Sequence, residues 1–141
     1  MEIPALKLKS VETKKILCND LPSQDLLRYF DECADKIHDV GRNGGKTLVH
    51  CVAGVSRSSS ICIAYLVKYN SMSLREAYFY VKEKRCIIRP NIGFFKQLIQ
   101  YEKVVRGSKF QSVKLVNTQV GPTPDVYAQE IKGKGGFTFM I

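Results

Sequence analysis

Apolar residues recur at helical spacing in four stretches of this chain. Leu26, Leu27, Phe30, Ala34, Ile37 and Val40 fall on one face with polar residues between them, which predicts an amphipathic helix ending at Gly41. Ser23 is placed to cap it, and Asp25 suits its positive end. The run Ile61–Val67 is apolar on nearly every side, the pattern of a central helix covered by others. Ser73 and Glu76 have the spacing of a capping box, ahead of a helix that turns Leu74, Ala77, Tyr78 and Val81 inward. After the break "RPN", Phe94, Phe95, Leu98, Ile99, Glu102 and Val105 give a fourth helix, stopped by Gly107. Strand signals are fewer. "KKILCND" (Lys14–Asp20) reads as a short strand entering a loop marked by Pro22, and "TLVH" (Thr47–His50) as a brief buried strand. "SVKLVN" suits an edge strand, while Pro122, Pro124 and the glycines beyond Ser108 leave little other regular structure.

"TLVH" and the apolar helix are joined by "HCVAGVSRS" (His50–Ser58), so the order is strand, small-residue loop, helix. That order builds an anion site in α/β proteins, because backbone N–H groups and a helix N-terminus converge on one point. "GGKT" (Gly44–Thr47) resembles a nucleotide loop only superficially. Val40 stands where its first glycine belongs, and it joins a helix to a strand, the reverse of the required order.

The 141 residues allow one domain, and Lys and Arg exceed Asp and Glu by 22 to 13, for a formal charge of +9. The basic excess gathers after residue 66, but no RGG tract or aromatic-basic sheet motif accompanies it, so nucleic acid is not expected as a partner. The N-terminus has charge where a secretory signal would be apolar, and no run approaches the ~20 residues of a membrane helix. The expected location is the cytoplasm, with the nucleus open. Five cysteines without a C-x-x-C pair argue against a disulfide framework, and two scattered histidines argue against a zinc site. Neither metal nor other cofactor is expected.

Among the cysteines, only Cys51 has an arginine, Arg57, six positions ahead. A loop of Val52, Ala53, Gly54, Val55, Ser56 and Arg57 can wrap a tetrahedral dianion if its side chains stay small and its backbone can bend. Arg57 supplies a planar fork matched to two phosphate oxygens. Cys51 at the loop floor is a candidate nucleophile. Helix and cation together lower a thiol from its ordinary pKa of ~8.5. Ser58 can donate its hydroxyl to that thiolate, and His50 orients the loop through hydrogen bonds rather than serving as a base. Expelling an alkoxide needs an acid on a separate loop, for which Asp20 is the candidate; the competing reading of Asp20 is a helix-capping aspartate.

"HCVAGVSRSSSICIAYLVKY" resembles the signature of the cysteine-dependent dual-specificity protein phosphatases, members of the protein-tyrosine-phosphatase superfamily. "ND" before "LPSQDLLRYFDECADKI" is similar to their general-acid loop, "RPNIGFFKQLIQYE" to their closing helix, and "VKLVNTQVGPTPDVY" to the small atypical, MAP-kinase-phosphatase-like branch. The resemblance spans residues 14–127. It implies Asp20 as the acid and Asn91 as a polar support beneath the loop. It also implies an α/β fold with a mostly parallel central sheet flanked by helices. The family's domain ordinarily begins upstream of the position Met1 occupies, so its N-terminal strands are expected to be missing. On this reading residues 1–107 form the catalytic domain and 108–141 an extension, partly irregular or disordered.

The implied activity is hydrolysis of phosphotyrosine and phosphoserine or phosphothreonine through a cysteinyl-phosphate intermediate. Phosphoproteins, MAP kinases or their regulators among them, are the implied partners; oligomeric state stays unassigned. A binding module that holds phosphoproteins without turnover is the second reading, though Cys51 is intact. A phosphatase for RNA 5′ ends or phosphoinositides is the third, and it fits poorly with the uncharged Val52, Ala53, Val55 and Ser56. Without flanking strands, "TLVH" would lose its hydrogen-bond partners, and a weak or unstable enzyme is expected.

Overall fold

The computed structural model describes residues 11–128. Four helices make the body: α1 (Leu27–Arg42), α2 (Arg57–Tyr69), α3 (Leu74–Lys84) and α4 (Ile92–Arg106). A hairpin follows, with β1 (Leu115–Thr118) antiparallel to β2 (Gly121–Pro124). Helix α2 packs against α1, α3 and α4, the central position that its all-round apolar sequence predicts. Phe30 of α1, Ile63 and Val67 of α2, Leu74 and Tyr78 of α3, and Phe94, Phe95 and Leu98 of α4 fill one core.

The start of α3 and both ends of α4 follow their local chemistry, while α1 runs one residue past the expected stop at Gly41 and Ser56 ahead of α2 makes no side-chain cap. Ser73 and Glu76 form the full capping box of α3, and Gly107 stops α4 with φ 123°. Helix α1, however, starts at Leu27 rather than behind Ser23. Its first N–H groups, on Leu26 and Leu27, donate at 2.8 and 2.7 Å to Oε1 of Gln97 in α4. The cap of α1 is therefore tertiary. Asp25 accepts from the Arg28 N–H, at the positive end where it was expected.

Two expected strands are not formed. Residues 14–18 and 47–50 have no regular secondary structure, and among the described residues the sheet is the two-stranded β1–β2 hairpin. A parallel strand needs neighbouring strands to take its N–H and C=O groups, and among the described residues no strand pairs with either run. Leu48 is accordingly 76% exposed, where a buried strand was expected. The edge strand read in "SVKLVN" is present as β1, starting three residues later, at Leu115, and ending one residue later, at Thr118.

Residue 107 is not a packing boundary. Val113 and Val126 are 0% exposed and belong to the same core as the helices. Glu102, equally buried, accepts hydrogen bonds from the Leu74 N–H at 2.6 Å and from the Ser112 N–H and Oγ at 2.9 and 2.6 Å. Arg75 donates to the Ser112 carbonyl and pairs with Asp125 at 2.7 Å. Residues 112–127 thus pack into the same body as the helices, and residues 129–141 of the expected extension lie outside the described residues. The late-chain basic residues are also partly internal. Lys68 bridges to Asp31 and Asp35 of α1, and Arg106 donates to the Met72 carbonyl.

Candidate active site

The loop between residue 51 and α2 turns at Gly54, whose φ of 67° suits glycine, and ends at Ser56 ahead of the helix. The Cys51 Sγ receives the Gly54 N–H at 3.2 Å and lies 3.3 Å from the Ser58 Oγ. Ser58 is in the first turn of α2, so its hydroxyl and N–H face back toward the sulfur. Burial opposes ionisation of the Cys51 thiol, but the Ser58 hydroxyl, the Ser58 and Gly54 N–H groups and the Arg57 charge together outweigh it. Its pKa therefore lies below that of an ordinary thiol.

Other thiols go the opposite way. Burial raises Cys33, raises Cys18 despite Arg57 nearby, and pushes Cys62 up to about 11 with help from the charge of Cys51. Iodoacetamide near neutral pH should therefore modify Cys51 ahead of Cys18, Cys33 and Cys62, since the thiolate is the reacting form. Peptide mapping after brief exposure checks this; labelling of Cys62 before Cys51 would contradict the described loop.

Arg57 opens α2. One prong of its fork, Nη1, donates to the Cys18 carbonyl at 3.2 Å. Its Nε is buried with no hydrogen-bond partner among the described residues. A buried unpaired guanidinium N–H is costly, and an anion in the loop would satisfy it. The contact to Cys18 also holds the segment that leads to Asp20 close to the loop.

Asp20 is exposed, with Oδ1 accepting from Asn91 Nδ2 at 2.8 Å. Asn91 does three further things. Its N–H donates to the Ser56 Oγ at 2.8 Å, its Oδ1 caps α4 through the Phe94 N–H, and it precedes Gly93 by two residues. A Cβ on Gly93 would lie 2.0 Å from the Pro22 carbonyl oxygen, so only glycine lets the Asp20 loop rest on α4. Asp20 is thus hydrogen-bonded to Asn91, which also bonds Ser56 of the loop, and does not cap α1.

His50 differs from expectation. It is exposed, lines the cavity beside the loop and forms no hydrogen bond among the described residues. Beside the loop is a cavity of about 230 Å³ lined by Leu48, Cys51, Gly54, Ser58, Cys62 and Arg85 among others. A larger cavity, about 360 Å³, lies between α2 and α4 at Val67, Ser71 and Val105, with no cysteine or carboxylate in its lining. Three contributors escaped the sequence reading: Gln97, Gly93 and the Cys18 carbonyl. A glycine in the first turn of a helix was the available signal for the second; backbone carbonyls give none.

Among the described residues no cluster of three histidine, cysteine or carboxylate side chains could hold a metal ion, and no helix is long and apolar enough to cross a membrane.

Residues 1–104 match the family model described as dual specificity phosphatase, catalytic domain. The chain is 49% identical over 130 residues to dual specificity protein phosphatase 14 of Homo sapiens, covering 92% of this chain and 65% of that protein. It spans that share, and no more, of the relative's length. The fold is similar to the crystal structures of human DUSP28 (TM-score 0.62, 36% identity, 62% of each chain) and of DUSP15 (TM-score 0.66, 30% identity, 78% of this chain and 75% of that one). These likenesses bear out the phosphatase-type α/β fold class expected from the sequence.

Proposed function

The chain belongs to the dual specificity phosphatase family, and from that premise we propose that it hydrolyses phosphotyrosine and phosphoserine or phosphothreonine in proteins. The observation that carries the reading is a thiol held low by Ser58, Gly54 and Arg57, on the same loop as a buried guanidinium N–H that lacks a partner.

The chemistry follows from that arrangement. Phosphate enters the loop and takes hydrogen bonds from Arg57 and the backbone N–H groups. The Cys51 thiolate attacks phosphorus, an S–P bond forms, and the P–O bond to the substrate breaks as the leaving oxygen takes a proton from Asp20. Water then attacks the same phosphorus while the Asp20 carboxylate takes its proton. The S–P bond breaks, and Ser58 donates to the departing thiolate. No cofactor enters either step. Asn91 holds the acid loop against the phosphate loop throughout.

MAP kinases or their regulators are the proposed phosphoprotein class, on the resemblance to the atypical branch. A cytoplasmic or nuclear site of action belongs to the same proposal. Paired phosphotyrosine and phosphothreonine peptides test the activity: phosphate release from both supports it, and tight binding without release would favour a phosphoprotein-binding module.

Asp20→Asn tests the acid. It should slow phenyl phosphate and phosphothreonine hydrolysis by roughly 100-fold or more, the usual span of general acid catalysis, and barely affect an activated dinitrophenyl ester. Equal losses on both substrates would return Asp20 to a purely structural role.

A further inference from the structure

The segment Arg89–Asn91 joins the phosphate loop to Asp20 and lies between α3 and α4, ending at the N-cap of α4. The Arg89 N–H donates to the Val55 carbonyl at 2.7 Å, and the Asn91 N–H donates to the Ser56 Oγ at 2.8 Å. Both partners are phosphate-loop residues. The Asn91 amide reaches Asp20, also at 2.8 Å. A displacement of these three residues would therefore move the phosphate loop and the acid together.

Between Arg89 and Asn91 sits buried Pro90, which has no N–H and fixes its own φ. Its carbonyl accepts from the Tyr127 hydroxyl at 2.7 Å, in a buried contact spanning 37 residues of sequence. The Tyr127 ring is packed edge-on against Phe95 with centroids 5.7 Å apart, and stands 5.8 Å from Tyr78. On its outer face, the Arg89 guanidinium lies 3.9 Å from the ring centroid, a close cation–π contact. One side chain thus grips Arg89 by its charge and Pro90 by its carbonyl, while its own ring is anchored in the core.

We propose that Tyr127 is a positioning residue for hydrolysis: by holding Pro90 and Arg89 it fixes the segment that aligns the phosphate loop with Asp20. The inference rests on the phosphatase reading, and it assigns a task in the reaction to the residues after α4. Packing alone would be satisfied by phenylalanine. The hydroxyl adds a directional contact to the one backbone carbonyl flanked by both loop-holding residues.

The test compares Tyr127→Phe, which keeps the ring, with Val113→Ala, which loosens the same core away from Pro90. Each is assayed on phenyl phosphate and on 4-nitrophenyl phosphate, alone and in an Asp20→Asn background, with inorganic phosphate affinity measured by calorimetry. Tyr127→Phe should lower kcat/KM for phenyl phosphate about three- to tenfold more than for the nitrophenyl ester, the scale of one buried hydrogen bond. The extra loss should vanish once Asp20 is replaced. Inorganic phosphate should bind about three- to tenfold more weakly, again the scale of that bond. Equal losses on the two esters, no loss, or the same selective pattern in Val113→Ala would overturn the proposal. If the unmodified chain hydrolyses neither ester, the phosphatase reading fails. Phosphate affinity then decides Tyr127 alone, and an unchanged value in Tyr127→Phe rejects it.

Discussion

Cys51→Ser is expected to lower hydrolysis of any phosphate ester by roughly 10⁴-fold or more, the scale reached when a covalent nucleophile is removed, while inorganic phosphate still binds. The expectation follows from a division of labour within the loop. In the proposed mechanism, binding belongs to the backbone N–H groups, the α2 N-terminus and Arg57, none of which the substitution touches. Bond formation belongs to the sulfur, which ionises in this site because Ser58, Gly54 and Arg57 outweigh its burial. A serine hydroxyl in the same place has no comparable route to an anion. Arg57→Lys should be nearly as inactive for a different reason. A lysine ammonium keeps the charge but cannot hold the Cys18 carbonyl and two phosphate oxygens with one planar fork. Steady-state turnover together with phosphate calorimetry reads both variants. Cys51→Ser retaining a tenth or more of the activity would remove the cysteine from the mechanism.

Glu102→Ala is expected to be the most damaging single change outside the active site. The carboxylate is wholly buried and accepts from three donors: the Leu74 N–H, the Ser112 N–H and the Ser112 Oγ. Alanine would strand donors in the core at about 1–3 kcal/mol for each that stays buried. A domain's whole stability is only about 5–15 kcal/mol. The midpoint of thermal unfolding should fall by roughly 10 °C or more, given a few degrees per kcal/mol in a chain of this size. Ser112→Ala should fall less, because Glu102 keeps both backbone donors. Circular dichroism melts check the pair, and a fall under about 3 °C for Glu102→Ala would mean that water replaces the carboxylate.

The contrast between Glu102 and "TLVH" shows which features were legible. Glu102 lay on the inward face of α4 by its spacing alone, and the structure buries it there. The spacing could not say that it binds a helix start 28 residues earlier and a hydroxyl 10 residues later. "TLVH" had strand composition, but composition is only half of a strand. Leu48 is exposed because no described segment pairs with its backbone. The cap of α1 failed in a related way: Ser23 was locally suitable, yet Gln97 of α4 takes the free N–H groups.

The sequence by itself determined the four helices, the central place of α2, and the family signature in "HCVAGVSRS". Each depends on periodicity, or on residues within one turn or one loop of each other, and those relations survive in the linear text. The tertiary structure alone decided that Asn91 ties Asp20 to Ser56, that Arg57 reaches the Cys18 carbonyl, and that Tyr127 holds Pro90. These contacts join residues 35 to 71 positions apart. The Asn91–Asp20 contact joins two side chains far apart in sequence; the others each use a backbone carbonyl or N–H, groups found along the whole chain that leave no mark in a sequence until packing brings them within hydrogen-bond distance.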